Sequence, residues 1–179
     1  MPTNGVKLGI RGNRPKLRGP ARPASVAQPP APVPPSTPAA LPRVLFLCVG
    51  NSCRSQMAES FARRYGAGVL EARSAGLSPA VAVSPLTRQI LAEKNLEIGD
   101  AFPKGIDLLR NERFDLVVNM AGTPFRMPGA RVLEWRVEDP IGKTDEFYRK
   151  VANELEGLVM RLILEMRGGV ASAQSRGAR

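Results

Sequence analysis

The sequence contains no histidine. That removes imidazole as a catalytic base, a proton shuttle or a metal ligand. Its two cysteines, Cys48 and Cys53, are too few for a thiolate zinc site or for a disulfide framework of the secreted kind, and no metal or other cofactor is expected. Aromatic residues make up 5% of the chain and neither terminal stretch carries one, so the rings on which single-stranded bases stack are missing there. No run approaches the roughly 18 apolar residues of a membrane span. The N-terminal stretch also lacks the apolar centre of a secretory signal. A cytoplasmic protein with no membrane partner is expected.

Acidic residues are absent from both ends. Residues 1–42 hold six Lys/Arg and residues 167–179 hold three, with no Asp or Glu in either. Between them, 17 basic residues face 16 acidic ones, so the formal charge of +10 belongs to the termini. A nearly neutral centre argues against nucleic acid as a partner, although basic tails can attract polyanions. Residues 1–42 also contain 11 of the 17 prolines. The stretch "QPPAPVPPSTPAALP" favours extended, polyproline-like conformers over a packed core. The expected organisation is a disordered Pro/Ala/Arg-rich extension over 1–42, one domain over 43–167, and a disordered basic tail over 168–179.

Within the domain, apolar runs alternate with helical spacing. "VLFLC" (44–48), "GVLEARSAG" (68–76), "FDLVVNM" (114–120) and "RVLEWRV" (131–137) read as strands. Helical spacing covers 55–66, with Met57, Phe61 and Tyr65 inward, and 85–95, entered through Ser84-Pro85. A short helix is expected over 103–110. A long helix is expected over 144–167, capped by Thr144 and ended by Gly168-Gly169. This order predicts an α/β three-layer sandwich, a four-stranded, mainly parallel sheet flanked by helices. Ligands of such sheets bind where strands end and loops enter helices.

The first such loop holds both cysteines. In "CVGNSCRS" (48–55), Gly50 can take positive φ and Asn51 is the non-glycine residue most at ease in the left-handed region. Inward N–H groups of Val49 to Ser55, together with the start of a helix, form an anion nest. Arg54 adds a planar fork of donors suited to a tetrahedral oxyanion. The expected phosphate-binding set is Val49, Gly50, Asn51, Ser52, Cys53, Arg54 and Ser55. Cys48, beneath these donors, is expected to be a thiolate placed for in-line attack. Ser55 can donate to it.

Cys48-x5-Arg54-Ser55 within "VLFLCVGNSCRSQMAE" resembles the low-molecular-weight protein tyrosine phosphatases, a family that also includes thiol-linked arsenate reductases. The resemblance spans about 43–166. It implies that Ser74, in "RSAG" (73–76), braces Asn51, and that Asp139, in "EDP" (138–140), is the general acid and later the base. It also makes Cys53 a possible redox partner of Cys48. Catalysis would fall to Cys48, Arg54 and Asp139. The implied function is a phosphomonoester (protein tyrosine) phosphatase working through a phosphocysteine, with a phosphorylated protein or small phosphomonoester as substrate. Arsenate reduction, or arsenate–thiol transfer, with an external thiol is the alternative. A non-catalytic anion-binding module is a third reading.

Three departures bear on this. The extra cysteine pair of thioredoxin-linked arsenate reductases is missing from "NMAGTPFRMPGARV" (119–132). Ile141 stands where phosphotyrosine-specific members often carry a ring after Asp-Pro, leaving only Phe125 and Phe102 as flanking rings. The histidine that supports the loop in some members is absent.

Overall fold

The computed structural model describes residues 40–176. Most of the expected N-terminal extension therefore lies outside the described residues. The chain begins its first strand, β1 (Arg43–Cys48), with every residue after Arg43 buried. Its side chains alternate between two cores. Val44, Phe46 and Cys48 face one, and Leu45 and Leu47 face the other, which is why this strand reads as an unbroken apolar run.

Three further strands, β2 (Glu71–Gly76), β3 (Leu116–Asn119) and β4 (Arg131–Glu134), complete the sheet. The order is β2-β1-β3-β4, and all three pairings are parallel. The chain leaves β1 first for β2 on one side and later for β3 on the other. The reversal of strand order places a crevice at the carboxyl end of β1, beside Cys48.

The helices α1 (Arg54–Tyr65), α2 (Pro85–Glu93) and α3 (Asp145–Arg176) pack together over one face of the sheet. Met57, Phe61, Ile90, Leu91, Val151 and Leu155 join Val44 and Phe46 in that core. The third layer is thinner. Leu109 and Phe114 cover Leu45, Leu47 and Val117, with Ile106, Phe125 and Met127 packed against them.

Several element boundaries differ from the sequence reading. The expected helix over 103–110 is one 3₁₀ turn, Ile106–Leu109, because Pro103 and the bridge between Gly105 and Gly76 hold the preceding backbone extended. The third and fourth strands stop at Asn119 and Glu134, where the loops that reach Arg54 begin. Finally, α3 continues beyond Gly168-Gly169 to Arg176. Glycine costs a helix interior only about 1 kcal/mol relative to alanine, so a pair of glycines does not by itself end one. Thr144 does cap α3, accepting the Phe147 N–H on its hydroxyl at 3.3 Å. No described helix is long and apolar enough to cross a membrane.

Candidate active site

The loop from Val49 to Cys53 is held from outside by the segment that follows β2. The carbonyls of Cys48, Val49, Gly50 and Ser52 accept N–H groups of Leu77, Ser78, Ala80 and Ser84 at 3.1, 2.9, 2.9 and 3.2 Å. A trans peptide points its C=O and N–H in opposite directions. Turning these carbonyls outward therefore turns the N–H groups of Val49, Gly50, Asn51 and Cys53 inward. The Asn51 N–H accordingly donates to Cys48 Sγ at 3.2 Å. The cradle is a product of its outer wall as much as of its own residues.

Left-handed backbone occurs at Asn51, with φ of 48°, and not at Gly50. The wall contacts leave Gly50 in ordinary space, and a Cβ there would meet Ala80 Cβ at 3.7 Å. The glycine that the loop requires is Gly76. A Cβ on it would lie 2.7 Å from the Val49 oxygen and 2.9 Å from the Asn51 nitrogen.

Cys48 lies at the floor, 2% exposed, with Ser55 Oγ at 2.9 Å. Asn51 donates from Nδ2 to Ser55 Oγ at 2.8 Å and to Ser74 Oγ at 2.9 Å. Ser52 is directed into the wall, donating to the Ala82 carbonyl at 2.9 Å and accepting the Ser84 N–H at 3.0 Å. Cys53 Sγ lies 3.3 Å from the Tyr148 hydroxyl of α3, and both cysteines are free thiols. Burial, reinforced by the hydrogen bond with Cys53, pushes the Tyr148 hydroxyl up to about 12.

Arg54 is buried and fixed by carbonyls of the loops that follow β3 and β4. Its Nη1 donates to Met120 O at 2.8 Å and Val137 O at 3.1 Å. Its Nη2 donates to Asp139 Oδ2. Its Nε is buried and has no partner among the described residues, a charged donor that a tetrahedral oxyanion would satisfy. Asp139 also accepts the Ile141 N–H at 3.2 Å, and 44% of its side chain remains exposed.

The flanking rings do not border the cradle. Phe125 packs into the second core. Phe102 is exposed on a cleft of about 600 Å³ that Gln56, Glu59, Arg63 and Lys104 also line. The large exposed side chains on the segments that make the cradle and its wall are aliphatic: Val49, Leu77, Val81 and Ile141. Trp135, which the sequence reading did not single out, lines a cavity with Arg54, its ring tilted against Phe46.

Sequence reasoning also missed the support behind Asn51. Gln56 donates to Asn51 Oδ1 at 3.1 Å, and the Lys104 N–H donates to the same oxygen at 2.9 Å. Ser74 donates to Glu59, whose side chain is 6% exposed. Gln56 and Glu59 lie on the face of α1 that the Met57–Phe61–Tyr65 spacing assigns to solvent. The only signal in the sequence was two polar residues close to the cysteine loop. Lys104, 53 positions from Asn51, had none.

A cysteine under an N–H-lined loop, an arginine whose buried Nε has no partner among the described residues and a facing carboxylate meet at the carboxyl end of β1 in a parallel α/β sheet. The chain belongs to the low-molecular-weight phosphotyrosine protein phosphatase family, whose model matches residues 43–172. Among curated relatives, the glutaredoxin arsenate reductase of Synechocystis is 32% identical over 129 residues, covering 69% of this chain and 98% of that protein. Arsenate reductase 1 of Bacillus cereus is 32% identical over 63% of this chain and 87% of its own length. Among solved structures, an arsenate reductase in the phosphate-binding state superposes with a TM-score of 0.64 at 30% identity, over 70% of this chain and 99% of that one. A low-molecular-weight protein tyrosine phosphatase from T. tengcongensis gives 0.60 at 32% identity, over 69% and 99%.

Proposed function

We propose that the protein reduces arsenate with an external thiol, using Cys48 as nucleophile. The observation that carries this reading is the unpartnered, buried Arg54 Nε beside the N–H-lined loop. The large apolar side chains exposed around this cradle are aliphatic, not aromatic, so it suits a small tetrahedral oxyanion better than an aryl ester. The two arsenate reductases that are 32% identical to it over 69% and 63% of its length support the same reading. The earlier preference for a protein tyrosine phosphatase becomes the second reading.

The steps balance with two thiols. Cys48 Sγ attacks As(V), and an arsenic oxygen leaves as water with a proton from Asp139. A donor thiol attacks Cys48 Sγ, and the S–As electron pair returns to arsenic, which leaves as arsenite. Cys48 is now in a mixed disulfide with the donor. A second thiol restores it and carries away the donor disulfide. Arg54 and the loop N–H groups hold the oxyanion throughout.

Phosphomonoester hydrolysis is the second reading. Asp139 serves it equally, since its half-exposed carboxyl group beside Arg54, in the acid form, is placed to protonate a leaving alkoxide. One experiment separates the two. Wild type and Cys48→Ser are assayed for arsenite formation with glutathione and glutaredoxin, and for hydrolysis of para-nitrophenyl phosphate. Cys48-dependent arsenite formation supports the proposal. Cys48-dependent hydrolysis without arsenite formation transfers the assignment to a phosphatase, and neither activity from folded wild type overturns both.

A further inference from the structure

The direction of each hydrogen bond behind Cys48 follows from which atoms carry protons. Asn51 Oδ1 accepts from the Lys104 N–H at 2.9 Å and from Gln56 Nε2 at 3.1 Å, which fixes the amide's orientation. Asn51 Nδ2 then has two N–H groups, one given to Ser55 Oγ and the other to Ser74 Oγ. Each serine accepts from Asn51 and keeps one proton to give. The Ser55 proton goes to Cys48 Sγ, 2.9 Å away. The Ser74 proton goes to Glu59.

Glu59 is therefore the terminus of this relay, and it is a buried carboxylate. Such a group needs a compensating cation. Arg63 Nη2 reaches its Oε1 at 2.5 Å, but that side chain is 55% exposed and screened by water. Lys104 is the enclosed cation. Its side chain is 18% exposed, with Nζ 3.6 Å from Glu59 Oε2 and 3.5 Å from Ser74 Oγ.

We propose that Lys104 is a positioning residue for Cys48: its main chain locks the Asn51 amide and its ammonium cancels the Glu59 charge behind the nucleophile's loop. Without that ammonium, the carboxylate would keep only the exposed, water-screened Arg63 as its cation, and its charge would bear more strongly on a loop built to hold a sulfur anion. The inference rests on Cys48 being the reactive thiol of the proposed function, and on neither choice of oxyanion.

The test needs no substrate. The full-length chain is alkylated with iodoacetamide over about pH 4–8, rates being compared on the acidic limb where the thiolate fraction sets them, and fragmentation of the labelled peptide separates Cys48 from Cys53. Lys104→Met is expected to slow Cys48 alkylation about tenfold, the scale of one uncompensated neighbouring charge. Adding Glu59→Gln removes the charge that Lys104 balanced and is expected to recover most of that loss. Lys104→Arg, which keeps the cation, is expected to stay within about threefold of wild type. A merely structural lysine would not be rescued by a second substitution. Wild-type rates in Lys104→Met, or a double variant no faster than Lys104→Met, overturn the proposal. A tenfold loss in a folded Lys104→Arg protein does the same. All of these rates can be read even if the chain reduces no arsenate and hydrolyses no phosphate.

Discussion

Tyr148 joins three parts of the molecule through one hydroxyl. It projects from α3, contacts Cys53 Sγ at 3.3 Å and lies 3.0 Å from Ser84 Oγ at the start of α2. Ser84 consequently gives α2 no side-chain cap. Because burial first, and Cys53 second, favour the neutral phenol, the hydroxyl rises from its ordinary 10 to about 12 in the fold. The unfolded chain loses this proton first as pH rises. The stabilisation is therefore complete below pH 10 and disappears between about 10 and about 12. Urea unfolding should show Tyr148→Phe less stable than wild type by about 1 kcal/mol at neutral pH. That gap should shrink as the pH climbs from 10 toward 12. Tyr65, also raised, mainly by its bond to Glu156, titrates alike in both proteins and drops out of the difference. A gap that stays constant through this range would show that Tyr148 does not carry the shift.

At the scale of elements, the end of β2 sets the shape of the cradle. Gly76 pairs with Cys48 across the parallel register, and the loop folds back over it. The atoms that a Cβ would meet are backbone atoms of Val49, Gly50 and Asn51, which have no rotamer in which to retreat. Gly76→Ala is expected to cost about 1–3 kcal/mol in thermal or urea unfolding, the usual penalty of overpacking, and to weaken phosphate binding measured by calorimetry. An alanine at Gly50 meets only an ordinary contact at 3.7 Å and should fold as stably as wild type. The long helix offers the opposite case. Gly157 lies inside α3 with open space around it, so Gly157→Ala should raise stability by about 0.5–1 kcal/mol. Equal melting of Gly76→Ala and wild type would contradict the close approach.

At the scale of the whole molecule, the cores and the site are assembled, among the described residues, from Arg43 onward. Pro42 contributes one carbonyl, which accepts the Glu71 N–H at 2.9 Å. We propose that residues 1–39 add nothing to the stability of this domain. A chain starting at Ala40 should melt within about 2 °C of full length, well under the shift of 4–8 °C that 1 kcal/mol produces in a small domain. It should also retain the alkylation rate of Cys48. A drop of several degrees would reassign part of the stability to the proline-rich segment.

The sequence by itself determined the parallel α/β fold and the loop at its first strand end. Both are written locally: an apolar run, a turn with asparagine at its left-handed position, an arginine and a helix start lie within 18 residues (43–60). It also pointed to Ser74, through a four-residue string that ends β2 against the loop. Only the tertiary structure decided what surrounds that loop. The wall that turns its carbonyls outward comes from 77–84, the carbonyls that fix Arg54 come from the loops after β3 and β4, and the charge behind Asn51 comes from Glu59 and Lys104. These groups have no spacing that periodicity can read, since they meet only when β2, β3 and β4 take their places beside β1. Phe125 shows the same limit from the other side: as a ring near the right strand it was a flank candidate, and packing of the second core assigned it elsewhere.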